Sequence, residues 1–140
     1  MLRKTLIPIV ISVALACGVT GSANAQGGEQ LSSSWAQVNI CSPTQLGARA
    51  QLAGDGSKAQ MSVSFTAEWL SPNGWVALAG AATSPSLSAG SAEYTWGQAG
   101  WTFDITVPPG FAYQLRAVAN LQWSGGRSQT IVTGTCSVGG

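Results

Sequence analysis

The side chains that most enzymes use for catalysis are scarce in this chain. Histidine is absent, which excludes a Ser-His-Asp triad, a Cys-His pair and a metal ion held by imidazole. Among the carboxylates, Glu68 and Asp104 are the best candidates for a pair that catalyses hydrolysis by acid-base chemistry. The simpler interpretation is that both are solvated charges on the polar faces of strands. Asp55, flanked by glycines, is a single carboxylate, and calcium needs several oxygen ligands. We therefore predict a protein that has no enzymatic activity, cofactor or metal ion.

Aromatic side chains give a stronger signal, and it indicates binding rather than catalysis. The chain holds six tryptophans, more than one small core requires. Trp75 follows a turn, and Trp96 lies with Tyr94 in a segment rich in glycine and small polar residues. Exposed rings in such surroundings stack on sugars or anchor protein partners. We predict that Trp75, Tyr94 and Trp96 form a binding surface; the alternative is that the rings close one end of the core.

The first 25 residues have the organisation of a secretory signal peptide. A positively charged start precedes an almost continuously apolar run over residues 5–19, and Ala23-Asn24-Ala25 has the small-x-small form that signal peptidase recognises. We predict cleavage after Ala25 and a secreted protein, or a periplasmic one in an organism with an outer membrane. A lipid anchor on Cys17 is the alternative, although the surrounding residues match the lipoprotein pattern poorly. The apolar run is too short for a membrane-spanning helix.

Removal of this segment leaves two cysteines, Cys41 and Cys136, in an oxidising compartment. We predict that they form a structural disulfide. It would close a loop of about 95 residues and stabilise the fold by roughly 4 to 5 kcal/mol. A reactive or metal-binding thiol pair is the alternative, but there is no CxxC motif and no basic residue next to either cysteine.

Charge argues against two classes of partner. The residues after position 25 include four basic and five acidic side chains, so their formal net charge is −1. Nucleic-acid binding depends on clustered Lys and Arg, and attraction to anionic membranes does too. We therefore expect neither nucleic acid nor a membrane surface as the partner.

Apolar residues recur with a period of two, which is typical of strands with one buried face. The same alternation places Trp69, Trp101 and Trp123 on the buried side. Residues 26–34 are polar and aperiodic, so we predict a flexible segment there and one β-sandwich domain over residues 35–140. Seven strands are predicted, at residues 35–41, 47–53, 60–69, 75–79, 101–107, 112–123 and 129–136.

Turn residues separate these strands. Ser71-Pro72-Asn73-Gly74 and Ser124-Gly125-Gly126-Arg127 each predict a tight hairpin. Gly54-Asp55-Gly56 marks a reversal that either closes a hairpin or crosses between two sheets. Residues 81–100 are rich in Gly, Ala and Ser and predict a long connection with at most one short edge strand.

The segment from Val107 to Tyr113, followed by residues 114–120, resembles the corner between the fifth and sixth strands of fibronectin type III domains. Residues 65–69 and 73–75 resemble the third and fourth strands of that family. The resemblance implies an all-β, antiparallel immunoglobulin-like sandwich in which Pro109 and Gly110 permit the bend. It also implies that Tyr113 buries its ring and bonds its hydroxyl back to the corner. It implies no functional residues, because such domains serve many unrelated tasks.

We expect a small secreted binding module for glycan or protein. One alternative is a structural or envelope-associated protein, in which all six indole rings are buried and an edge strand is unprotected. Another is an inhibitor or carrier of a small apolar molecule, which would require a cavity between the sheets.

Overall fold

The computed structural model describes residues 33–80 and 82–139, and all regular structure within these ranges is β-strand. The predicted signal peptide, Cys17 and residues 26–32 lie outside the described residues. No helix in the described ranges is long and apolar enough to cross a membrane. The nine strands are β1 (Trp35–Cys41), β2 (Gln45–Ala53), β3 (Gln60–Ser71), β4 (Gly74–Ala77), β5 (Leu87–Ser91), β6 (Trp96–Asp104), β7 (Ala112–Trp123), β8 (Arg127–Val132) and β9 (Cys136–Gly139).

The strands form two antiparallel sheets. The smaller sheet has the order β1-β2-β6, and the larger has the order β4-β3-β7-β8. In the larger sheet β4 and β5 pair with opposite ends of the same edge of β3, and β8 and β9 do so on β7. The prediction of an all-β, antiparallel fold is confirmed. The Gly54 loop connects β2 to β3, so it crosses between the sheets and does not close a hairpin.

Both sheets contribute to one hydrophobic core. Alternate residues of β3 and β7 are buried, as the period of two predicted. The largest fully buried side chains come from β2, β3 and β7: Leu46, Leu52, Met61, Val63, Phe65, Leu115 and Leu121.

The predicted inward tryptophans differ in their burial. Trp123 is 2% exposed and Trp69 is half-buried, but Trp101 is 37% exposed. Trp101 lies on β6, the edge strand of the smaller sheet, opposite buried Ala48. The alternation of the sequence predicted that Trp101 is buried. Because an edge strand has a neighbour on only one side, part of this large ring remains exposed.

Two predicted strand boundaries were wrong. β6 begins at Trp96 and ends at Asp104, whereas the alternation predicted residues 101–107. The predicted last strand, 129–136, is divided into β8 and β9. The short β5 is the one edge strand allowed for residues 81–100.

A buried hydroxyl explains the division of the last strand. The Ala117 N–H donates to Thr133 Oγ1 at 2.9 Å, in place of a backbone carbonyl. Ser84 does the same on the other edge of the sheet, where its Oγ accepts from the Phe65 N–H at 2.8 Å between β4 and β5. Each hydroxyl also donates to the carbonyl of the following residue. Both edges of the larger sheet are therefore interrupted without leaving a backbone donor unsatisfied.

The predicted disulfide is confirmed. Cys41 in β1 is bonded to Cys136 in β9, with 6.3 Å between the Cα atoms. The bond therefore joins the smaller sheet to the larger one. Such bonds are characteristic of oxidising, non-cytosolic compartments.

Candidate functional site

Three connections meet at one end of the sandwich, and we call this surface the loop platform. It comprises the β2–β3 loop (residues 54–59), the β5–β6 turn (residues 92–95) and the β7–β8 turn (residues 124–126), together with the strand residues Gln60, Trp96 and Arg127 that flank them. Both sheets contribute strands to this end of the molecule.

Backbone hydrogen bonds join the first two connections. The Gly54 N–H donates to the Thr95 carbonyl at 2.9 Å, and the Gly56 N–H donates to the Ala92 carbonyl at 2.8 Å. The Ala92 N–H in turn donates to the Ala59 carbonyl at 2.8 Å. The β2–β3 loop therefore has a defined conformation against the turn that precedes β6.

The third connection is held from the larger sheet. The Gln60 N–H donates to Ser124 Oγ at 2.8 Å, and the Ser124 N–H donates back to the Gln60 carbonyl at 2.9 Å. The buried Trp123 indole N–H donates to the Ala53 carbonyl at 3.0 Å and so links the two sheets. The hairpin predicted at Ser124 to Arg127 is confirmed, with Trp123 paired to Arg127.

Gly54 makes the close approach possible. A Cβ atom at this position would overlap the carbonyl oxygen of Tyr94 and would come within 2.8 Å of the Ala92 carbonyl oxygen. Backbone atoms cannot move aside as the end of a flexible side chain can. Any larger residue must therefore separate the loop from the turn.

Two of the three predicted binding residues lie on the loop platform. Tyr94, in the turn, is 70% exposed, and Trp96, the first residue of β6, is 50% exposed. Large aromatic groups at this level of exposure have substantial apolar surface available to a partner.

Charged side chains of both signs belong to the same three connections or flank them. Asp55, Lys58, Glu93 and Arg127 are all exposed, and they are half of the eight charged residues that the structure describes. Arg127 Nη1 lies 3.5 Å from Asp55 Oδ2, and its guanidinium carbon lies 4.1 Å from the centre of the Trp123 ring. Hydrogen bonding from Ser57, and to a smaller extent the charge of Arg127, lowers the pKa of Asp55 below its ordinary value of 3.8.

The third predicted binding residue, Trp75, lies at the other end of the molecule. It pairs with Leu70 across the β3–β4 hairpin. Leu70 is ten residues from Gln60, where the loop platform begins, and this corresponds to about 30 Å along a strand. The predicted hairpin at Ser71 to Gly74 is confirmed, but the structure does not bring Trp75 next to Tyr94 and Trp96.

Trp75 instead packs against an ion pair. The Arg116 guanidinium carbon lies 4.2 Å from the centre of the Trp75 ring, and Arg116 Nε donates to Glu68 Oε1 at 2.8 Å. Trp75 is half-buried as a result. Glu68 is in the larger sheet and Asp104 is in the smaller one, so these carboxylates do not form a pair. In the described ranges no three His, Cys, Asp or Glu residues lie close enough together to hold a metal ion.

The corner residues also lie away from the loop platform. Gly110 has a φ of 87°, which a residue with a side chain rarely adopts. Pro109 immediately precedes it. Tyr113 is half-buried and its ring lies 5.9 Å from that of Trp69 in an edge-to-face arrangement. Its hydroxyl makes no hydrogen bond with any residue that the structure describes, although the resemblance implied one to the corner backbone.

The charged members of the loop platform were not predicted as a site. Gly54-Asp55-Gly56 and Ser124 to Arg127 were recognised as turns, but nothing local indicates that they meet. Their contact depends on the crossing between sheets, so only the pairing of β2 with β6 and of β3 with β7 brings Asp55 and Arg127 together.

Comparison with known proteins identifies no family. No family model matches this chain, and no curated protein matches it. Among solved structures, the chain is similar to a crystal structure described as the ApaA protein from Bordetella pertussis. The two chains are 10% identical, with a TM-score of 0.30, and the match covers 76% of this chain and 89% of that one. A likeness this distant carries no argument, so the site is interpreted from its own residues.

Proposed function

We propose that this chain is a secreted, non-enzymatic binding module that recognises another extracellular protein through the loop platform. The observation that carries the proposal is the joining of the β2–β3 loop to the β5–β6 turn by backbone hydrogen bonds, at an end of the molecule that presents Tyr94 and Trp96. Loops held on a β-scaffold are a common location for binding residues.

The surroundings of the two rings favour a protein partner over a glycan. Interfaces between proteins are enriched in Tyr, Trp and Arg at their centres and carry polar groups at their rims. The loop platform has this composition, because it combines exposed Tyr94 and Trp96 with the exposed charged residues Asp55, Lys58 and Arg127. Charges of both signs would also select a partner by electrostatic complementarity.

Prior organisation of the loops strengthens the proposal. Ordering a mobile loop on binding reduces affinity, because its conformational entropy is lost. The hydrogen bonds of Gly54, Gly56 and Ala92 hold the backbone of the loop platform before any partner arrives. Tyr94 and Trp96 have two side-chain torsions each, so fixing them costs less entropy than fixing long flexible side chains.

The same proposal includes a fibronectin type III-like, and thus immunoglobulin-like, fold. In immunoglobulin-like sandwiches the first, second and fifth principal strands share one sheet, and the third, sixth and seventh share the other. The strands β1, β2 and β6 and the strands β3, β7 and β8 follow this order if the short β5 is treated as an addition. The Cys41–Cys136 disulfide supports export, for which residues 1–25 supply the signal peptide.

Site-specific photo-crosslinking tests the protein partner. The photoreactive residue p-benzoyl-phenylalanine replaces Tyr94 in the exported protein, which is irradiated in the culture fluid of its source cells. We expect one discrete adduct with an added polypeptide, and we expect Trp96→Ala in the same protein to reduce its yield at least fivefold. Position 132, exposed on β8 outside the loop platform, is the control for nonspecific capture. Trp75→Ala is the control for removal of an indole.

A glycan array with the wild-type protein and Trp96→Ala distinguishes the remaining outcomes. Glycan binding that Trp96→Ala abolishes would replace the protein partner with a sugar at the same surface. Equal adduct yields from positions 94 and 132, together with a glycan array that binds no protein, would contradict the proposal.

A further inference from the structure

A cavity of about 460 Å³ lies between the sheets at the end opposite the loop platform. Its walls are the inward residues at the end of β3 and the start of β7, the segment after β4 (residues 78–80), and residues 103–108. Trp69, Leu78, Ile105, Val107, Tyr113 and Leu115 supply most of its apolar surface.

The widths of the two sheets explain why this end is open. The larger sheet is four strands wide, whereas the smaller has three. Near the loop platform β5 covers the edge of β6 so closely that a Cβ atom on Gly97 would overlap the Ala89 carbonyl oxygen. At the other end β6 stops at Asp104, and the irregular segments 78–80 and 105–108 line the opening.

Two polar groups of the cavity wall have no partner among the described residues. Neither the Trp69 indole N–H nor the Tyr113 hydroxyl makes a hydrogen bond there, although both side chains are half-buried. Both atoms reach solvent, because no buried side-chain nitrogen or oxygen atom of the described residues lacks a hydrogen-bond partner. Each group is therefore free to donate to a ligand that carries a hydrogen-bond acceptor.

The charges at the cavity determine which ligands it would accept. Its lining contains no Lys or Arg, and its one carboxylate, Asp104, accepts a 3.5 Å hydrogen bond from Gln45 Nε2 on the outer face. A fatty acid or another anion would therefore lack a counter-charge. We infer that this cavity binds a small, uncharged, mainly apolar molecule that carries one hydrogen-bond acceptor. The volume is within the range of known small-molecule sites.

Nile red, an uncharged dye with a carbonyl acceptor, tests this site by fluorescence titration of the exported protein. We expect saturable binding of one dye per chain with a blue-shifted emission. Ile105→Trp, which fills the cavity, should weaken binding at least tenfold. Tyr113→Phe removes only the hydroxyl and should weaken it about two- to tenfold, the contribution of one hydrogen bond.

Matched variants give the controls. Tyr94→Phe removes a hydroxyl on the loop platform, and Val132→Trp adds an indole on β8 outside the cavity; both should bind the dye like the wild type. Circular dichroism and thermal unfolding check that each variant is folded. If Ile105→Trp does not fold, Tyr113→Phe measured against Tyr94→Phe decides the question. Absence of dye binding to the folded wild type, or equal affinities of Tyr113→Phe and Tyr94→Phe, would overturn the inference. Neither result depends on the proposed protein partner, which uses the other end of the molecule.

Discussion

The two ends of this sandwich are built in different ways. At the loop platform, backbone groups from different connections bond directly to each other, and the Gly54 backbone lies against that of Tyr94. At the cavity end, residues 78–80 and 105–108 line a space between the sheets that is partly open to solvent. The first end presents aromatic and charged side chains outward, whereas the second has apolar groups facing this partly open cavity.

Different interactions hold the sheets together at each end. The loop platform has several hydrogen bonds and the Trp123 indole contact with Ala53. The cavity end has the Cys41–Cys136 disulfide. The disulfide therefore gives the cavity end a covalent link between the sheets, whereas the links at the loop platform are noncovalent.

Removal of the disulfide should have the largest effect on stability. For the double variant Cys41→Ala, Cys136→Ala we expect the free energy of unfolding to fall by roughly 4 to 5 kcal/mol, because the unfolded chain is no longer constrained. Urea denaturation of the disulfide-bonded protein and of the double variant measures this change.

Hydrogen exchange of the same variant would show which end depends on the bond. We expect the Ile105 and Val107 amides at the cavity end to lose protection first, and those of Gly54 and Ala92 at the loop platform to keep the most. If the variant does not fold, wild-type protein in reductant replaces it. Equal loss of protection at both ends would show that they are not independently stabilised.

Gly54→Ala should damage the loop platform and leave the cavity end intact. The added methyl would meet the Tyr94 carbonyl oxygen, so the loop and the turn must separate. We expect a loss of about 1 to 3 kcal/mol in the free energy of unfolding, together with loss of the photo-crosslinked adduct. Nile red affinity should be unchanged, because the cavity is at the opposite end.

Gly134→Ala is the matched control for this substitution. Gly134 does not have a positive φ, and a Cβ atom there would have no heavy atom within 4 Å. Its change in stability should be within about 0.5 kcal/mol. If both alanine variants are equally stable, the close approach at Gly54 is not what holds the loop to the turn.

Much of the fold could be predicted from sequence because the relevant signals are local. Alternation identified β3 and β7, turn residues identified the hairpin at Ser71 to Gly74, and the even pair of cysteines identified the disulfide. The interruptions of the larger sheet's two edges at Ser84 and Thr133 could not be predicted. A hydroxyl replaces a carbonyl in the sheet only when the neighbouring strand is in place to donate to it.

The candidate sites were less predictable, because they too depend on contacts between strands that are distant in sequence. Tyr94 and Trp96 were identified from their composition and are exposed, but their separation from Trp75 depends on which end of β3 each element reaches. The cavity was anticipated only as a requirement of a carrier protein. Its position depends on where β5 covers β6 and on where β6 ends, which alternation within single strands does not specify.

The smallest expected effect is the contribution of Asp55 to stability. It depends on pH at the loop platform and should leave the cavity end unaffected. Because Ser57 and Arg127 hold the pKa of Asp55 below 3.8, the charged form is favoured in the folded state. The resulting stabilisation is fully present above pH 3.8 and is lost as the pH falls through the lower, folded-state pKa.

Thermal unfolding of the wild type and of Asp55→Asn between pH 7 and pH 2 measures this contribution. The wild type should be slightly more stable at neutral pH, and the two curves should converge in acid. The difference will be small because the carboxylate is exposed to solvent and screened. Nile red binding at the cavity end, where Tyr113 is the proposed hydrogen-bond donor, should not differ between the two proteins across that range. A difference in dye binding that follows the Asp55 titration would mean that the two ends are coupled, and they could then no longer be treated as separate sites.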